Sequence, residues 1–218
     1  MDSYPQIQAA PPAFDLCGGH PALDFVNTLD DRFEEAPLEL LPDYSALLRF
    51  AEQTKLVGPG QVRLLTKSVQ PNAAARAVRS ARELREAMAT AFYDNLEGRP
   101  IPAAAMRTLE RHLLAADQHR ELRWQGATAR NGQPGMQWQW GRFAKEADLP
   151  VWILAGQASQ LLLSDAMQRV SACGADTCRW LFLDTSKNHT RRWCNMKVCG
   201  NRMKARRFQA RRGMSASS

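Results

Sequence analysis

Apolar residues recur at three- and four-residue steps through most of the first 170 positions, the period of an amphipathic helix. Asp43 is placed to cap a helix through Tyr44, Leu47, Leu48 and Ala51. A second helix is predicted over Gln61 to Val69. A longer one follows Pro71, runs from Ala73 toward Leu96 and is stopped by Gly98-Arg99-Pro100. Another follows Pro102 through Leu109, Leu113 and Leu114. Two short runs then break the helical period, Glu121–Trp124 and Met136–Trp140. The second alternates, and Asn131-Gly132 with Pro134-Gly135 lies between them, so a β-hairpin is predicted. Residues 148–170 read as a last, largely buried helix through Val151, Trp152, Leu154, Ala155, Ser159, Leu162 and Leu163. The fold class expected is mainly α: a helical domain with one β-hairpin over 16–170, preceded by a loose Pro/Ala/Gln-rich segment at 1–15. No signal peptide is visible. The most apolar stretch, Leu149 to Leu163, is too short and too polar to span a bilayer. A cytoplasmic protein with no membrane partner is expected.

The last quarter of the chain follows a different pattern. Cys173-x4-Cys178 and Cys194-x4-Cys199 form two spaced pairs. Two close thiolates from each of two turns can converge on one tetrahedral zinc ion, and in a reducing compartment such a cluster binds metal rather than forming disulfides. All four positions are then filled by protein, so the single zinc expected is structural. A module of about forty residues buries too little apolar surface to fold alone. Zinc binding, about 10–16 kcal/mol in finger peptides, supplies the deficit. Cys17, far away in sequence, reads as a small buried hydrophobe rather than a ligand, and His189 as a surface residue. Between the pairs, Arg179–Asp184 and Thr190–Trp193 are predicted as two strands around a turn at Thr185–His189. A helix starting near Cys199 would give a treble-clef-like order; a zinc ribbon competes with it. Gly174 and Gly200 suit tight turns whose amides face thiolate sulfur.

Charge reinforces the division. Residues 171–218 hold eleven Lys and Arg against Asp176 and Asp184, a balance of +9; the whole chain is +7, so residues 1–170 carry −2. A basic segment beside a metal-ordered fold points to a polyanion. On the expected helix Lys204, Arg207 and Arg211 share a face, while Arg202 and Arg206 lie elsewhere round the axis. These five are the candidate nucleic-acid contacts. Residues 213–218 are expected to be disordered. Near the N-terminus, His20, Asp24, Asn27 and Thr28 are polar residues amid Leu23, Phe25, Val26 and Leu29, and share one side of a helix. They could line a small-ligand site or satisfy backbone groups locally. No glycine-rich phosphate loop, Gly-x-Ser-x-Gly motif or clustered histidine points to an enzyme.

Cys199-Gly200-Asn201-Arg202, preceded by Cys173, Cys178 and Cys194, resembles the CGNR zinc finger. Gly19-His-Pro-Ala-Leu-Asp-Phe-Val-Asn-Thr28 resembles the opening of the ABATE domain, which usually precedes this finger in stress-induced bacterial transcription regulators. The resemblance covers about residues 16 to 212. It implies an ABATE-like domain over 16–170, a CGNR-type finger with a basic C-terminal helix over 171–212, and a DNA-binding regulator. The expected partners are duplex DNA, a small-molecule effector of the helical domain, or a second copy of the chain. An RNA-binding protein and a zinc-scaffolded protein-interaction module compete. Exposure of Trp180, Phe182, Trp193 and Phe208 would favour RNA or single strands.

Overall fold

The chain is described from a computed structural model that covers residues 12–126 and 134–215, with side chains throughout except at Arg207 and 211–215. Most of the expected loose segment 1–15, the hairpin turn at Asn131-Gly132, and residues 216–218 of the expected disordered tail lie outside the described residues.

Among the described residues, seven helices and three small antiparallel strand pairs follow in order. α1 is Pro21–Val26; β1 (Leu29–Asp30) pairs with β2 (Leu38–Glu39); α2 is Tyr44–Gln53 and α3 Pro59–Ser68. α4 (Pro71–Leu96) and α5 (Ala103–Gln118) lead into the hairpin of β3 (Glu121–Gln125) and β4 (Gly135–Gln139). α6 is Leu149–Leu162, β5 (Val170–Ala172) pairs with β6 (Leu181–Leu183), and α7 is Asn201–Ser215. The architecture is mainly helical with a small cysteine-rich C-terminal finger, as the chemistry of the sequence implies.

α4 is the spine. Ala77, Ala81, Leu84, Met88, Ala91 and Phe92 are buried at three- and four-residue spacing, so one stripe faces inward. Its alanines let α1, α5 and α6 approach closely. α6 contributes Val151, Leu154, Ala155, Ala158 and Leu161 to the same core. Asp43 caps α2 as expected, its carboxylate accepting from the Ala46 amide at 2.9 Å. The stop after α4 is Gly98, at φ +65°, a conformation that costs glycine little. Phe14, within the segment expected to be loose, packs edge-on against Phe50, and its backbone exchanges two hydrogen bonds with the Gln53 side chain.

Two expectations change. The helix predicted over 148–170 ends at Leu162. A short 3-10 segment at Asp165–Arg169 follows, and then β5. Ser164 folds its hydroxyl back onto the Leu161 carbonyl and leaves the chain extended, which frees Val170 to pair with a distant strand. The hairpin predicted between Arg179–Asp184 and Thr190–Trp193 does not form; β6 pairs with β5 instead. Side chains satisfy the 184–191 segment in place of a ladder. The Asp184 carboxylate accepts from the amides of Ser186 and Arg191 and from the Ser186 hydroxyl, at 2.6–3.0 Å. The helical domain also has a second strand pair, β1–β2. It positions Glu39, whose carboxylate receives two 2.7 Å hydrogen bonds from Arg85, a guanidinium 2% exposed.

Packing crosses the boundary expected near residue 170. Val170 and Leu181 belong to the helical core. Asn27, at the end of α1, holds both polar groups of Leu181: its Nδ2 donates to the Leu181 carbonyl and its Oδ1 accepts from the Leu181 amide, each at 2.9 Å. The Leu183 amide donates to the Gly18 carbonyl at 2.8 Å, and Trp180 Nε1 donates to Asp30 at 2.7 Å. Asn27→Ala would leave a buried amide and a buried carbonyl unpartnered. The expected cost is about 2–4 kcal/mol in urea-induced unfolding; a loss within about 0.5 kcal/mol, the range of ordinary surface changes, would show that the clamp does not join the two parts.

Candidate metal centre and nucleic-acid interface

Cys173 follows directly on β5, and its amide donates to the Trp180 carbonyl at 2.8 Å, which closes a tight turn carrying Cys178. Cys194 and Cys199 sit at the entry to α7. Asn195 caps a single π-type turn at Met196–Gly200, its side chain accepting from the Lys197 amide at 3.0 Å and its carbonyl from Cys199 at 2.9 Å. A metal-binding turn, a short strand and a second cysteine pair leading into a helix is the treble-clef-like order, not that of a zinc ribbon. A Cβ at Gly200 would displace the exposed Met196 thioether and come within 3.1 Å of the Trp193 ring. The Gly174 and Gly200 amides, expected to face sulfur, donate instead to the carbonyls of Arg192 and Asn195. The amides of Ala175 and Trp180 take that role, toward Cys173 and Cys178.

The sulfur atoms of Cys173, Cys178, Cys194 and Cys199 all lie within 4.8 Å of one another. Cys178 and Cys194 are 3.6 Å apart, and Cys194 and Cys199 3.7 Å. A tetrahedral zinc with sulfur at about 2.3 Å sets neighbouring sulfurs about 3.8 Å apart, so the donor set fits that ion. Four thiolates this close would repel one another, a repulsion that a shared divalent cation offsets. Hydrogen bonds from Cys178 and Cys194 hold the Cys173 thiol far below the ordinary range. Hydrogen bonding with Cys173 pushes Cys178 up; hydrogen bonding with Cys17 and Cys173 pushes Cys194 up; burial and the Cys173 charge push Cys199 up. A divalent cation bound among them would favour the deprotonated form of all four.

Around the thiols, one arginine does what the sequence did not disclose. Arg191 spreads its guanidinium over the carbonyls of Cys17, Leu183, Trp193 and Cys194 and stacks on Phe182 at 4.3 Å. It ties the finger to the N-terminal segment. Cys17 is half-buried and packs against the cysteine cluster, yet the group that can hold a metal among the described residues is the four C-terminal cysteines. His189 is exposed in a left-handed turn at φ +49°.

α7 leaves the cluster carrying the basic residues. Arg202 donates to the Thr177 hydroxyl at 3.2 Å, and Arg206 lies 3.5 Å from Asp176; both lean back on the first cysteine turn. Lys204 is exposed. Positions 207 and 211 fall on the helix, with their side chains outside the described residues; by the helical step of about 100° they share a side with Lys204, opposite Arg202 and Arg206. Phe182 is fully buried, Trp180 and Trp193 are half-buried, and Phe208 is 61% exposed.

The four polar residues of the α1 motif each have a partner inside the protein. His20 Nδ1 accepts from the Ala22 amide at 3.2 Å and caps α1. Asp24 accepts from the Gly18 amide at 2.7 Å, Asn27 clamps Leu181, and the Thr28 hydroxyl donates to the Phe25 carbonyl and accepts from Arg85. Burial pushes the Asp24 carboxyl up to about 6, against the Gly18 hydrogen bond. The stabilising contribution of protonated Asp24 is present below the ordinary carboxyl range and is lost as pH rises through about 6.

Comparison with known families agrees with this geometry. The family model of the CGNR zinc finger matches residues 169–212. The model of the ABATE family, described as "Putative stress-induced transcription regulator", matches residues 19–165. No curated protein matches the chain.

The fit of the four sulfurs to one ion predicts about one zinc per chain in purified protein, and Cys194→Ser should lose it together with the helicity of α7. Metal analysis and far-UV circular dichroism check this. Stoichiometric zinc retained by a chain lacking all four cysteines would contradict the assignment.

Proposed function

The chain belongs to the ABATE family and ends in a CGNR zinc finger, and from that premise we propose that it is a zinc-dependent, duplex-DNA-binding transcription regulator. In this reading Cys173, Cys178, Cys194 and Cys199 hold one structural zinc. The ion contributes cross-linking: it fixes the first cysteine turn and the entry to α7 as one unit. With four thiolates there is no open position on the metal, so its part is architectural.

The observation that carries the proposal is that this centre sits at the foot of a helix whose outer side is basic. Arg202 and Arg206 brace α7 against Thr177 and Asp176. The side bearing Lys204, Arg207 and Arg211 is then held away from the finger. A helix side that carries basic residues at positions 204, 207 and 211 suits the phosphates of a duplex. Stacking on single strands finds less support: of the four rings, Phe182 is buried, Trp180 and Trp193 pack on the interior of the finger, and Phe208 alone is exposed, at 61%. Among the described residues no helix is long and apolar enough to cross a membrane.

The helical domain would supply control, by sensing a small molecule or by pairing two chains. A cleft of about 560 Å³ between α5 and α6 favours a sensing role. His119 stacks on Trp152 at 3.9 Å on its wall, and His112, which also lines it, turns its buried Nε2 toward the Glu83 carboxylate at 3.7 Å.

Duplex binding should weaken steeply with salt, each neutralised phosphate adding roughly −0.9 to the log–log slope. Replacing Lys204, Arg207 and Arg211 together by Gln should reduce affinity about tenfold or more and flatten the slope by two to three phosphates' worth, with zinc content unchanged. Fluorescence anisotropy on duplex DNA, single-stranded DNA and RNA provides the measurement. Equal binding by wild type and variant would remove this face from the mechanism, and a strong preference for RNA would replace the DNA reading by the RNA one.

A further inference from the structure

The β3–β4 hairpin is patterned the wrong way round for a sheet that serves only its own chain. Strand residues two apart share a face, and the register sets Leu122 opposite Trp138 and Trp124 opposite Met136, so these four side chains lie on one side. They are 52%, 53%, 67% and 55% exposed, in that order. On the opposite face Glu121, Gln125, Gln137 and Gln139 are half-buried, and Arg123 is exposed. A sheet packed on its own core turns its apolar face inward. Here the polar face is the sheltered one and the apolar face is turned to solvent. A contiguous exposed patch of this kind marks an interaction surface.

We propose that this apolar hairpin face is a homodimer interface, occupied by the same face of a second copy of the chain. The proposal deepens the pairing role of the helical domain suggested above and rests on it. Its first support is self-complementarity. Trp124 and Trp138 lie on one diagonal of the patch, Leu122 and Met136 on the other. A two-fold axis running along the strands, or across them, therefore places each indole of one copy on an aliphatic side chain of the other. An isologous contact of that form satisfies closed two-fold symmetry. The second support is area. Two indoles more than half exposed, with a leucine and a methionine, present roughly 500 Å² per copy, or about 1,000 Å² for the pair, which reaches the lower bound of a specific interface. The third is charge. None of the four residues is charged; the neighbouring Arg120 is engaged within the chain, stacked over Trp138 at 4.1 Å, and Arg123 lies on the opposite face, paired with Glu121 at 2.9 Å. A nucleic acid stacked on these indoles would meet no row of free cations on this face. Both strands also leave an outer edge unpaired among the described residues, so the contact can extend by edge pairing.

The test is sedimentation velocity on the full, zinc-loaded chain between about 1 and 100 μM, the range where an interface of this size dissociates. Wild type should pass from monomer to dimer across that range. Trp124→Glu and, as a separate variant, Leu122→Glu should each raise the dissociation constant at least tenfold, with zinc content unchanged and with melting temperature unchanged at a concentration where wild type is monomeric. A monomer throughout, or variants that dimerise like wild type, would overturn the proposal. So would a monomeric wild type whose indole fluorescence is quenched by a single-stranded oligonucleotide. A monomer that still binds duplex DNA removes the dimer alone; a dimer that binds no DNA leaves the interface standing and removes the DNA-binding reading.

Discussion

Four sulfur atoms within 4.8 Å of one another are the constraint on which the C-terminal part of the molecule depends. Few apolar residues are available there: Ala175 and Phe182 are the buried ones beside the cysteines, with Trp180, Trp193 and Met203 packed around them. That set cannot order a segment carrying a net charge of +9 against its own repulsion. A cation shared by four thiolates can, because it is a cross-link as well as a local neutraliser of the thiolates. An ion held there would fix Cys199 and the start of α7, and with it the direction in which the basic helix projects.

The finger does not hang from a free linker. Asn27 clamps Leu181, Gly18 receives the Leu183 amide, Asp30 receives the Trp180 indole, and Arg191 links the carbonyls of Cys17 and Cys194. All of these N-terminal partners lie in or beside α1. The motif that opens the ABATE domain is, physically, the socket for the finger. α1 packs on α4 and α6 on one side and on β6 on the other, so under the proposed control role it is the element that joins the helical core to the finger.

What could be read from the sequence was local. Asp43 and Gly98 act on their own helix ends, so the signals that bound α2 and α4 sit beside the positions they control. The β3–β4 hairpin was legible from the alternation of Met136, Trp138 and Trp140, and the cysteine centre from two short spacings. The errors came from partners far away in the chain. Val170 continues an apolar pattern that suits a helix, and only Leu183 makes it a strand. Thr190–Trp193 looks like a strand, but Asp184 and Ser186 take its amides instead. Asn27 stood out as a polar residue in an apolar run, yet its role lies 154 positions away. Arg85 resembles any surface helix arginine until Glu39, 46 positions back, explains its burial.

The central claim is that metal order and DNA binding are one property. The most direct test follows affinity for duplex DNA on a single preparation: with zinc bound, after removal of the metal by a chelator under reducing conditions, and after return of one equivalent of zinc. The account predicts a fall of about tenfold or more on removal, with a flatter salt dependence, and full recovery on return, because a disordered basic tail holds its cations in no fixed row. An apo-protein that binds duplex DNA with the same affinity and the same salt slope as the zinc form would contradict it.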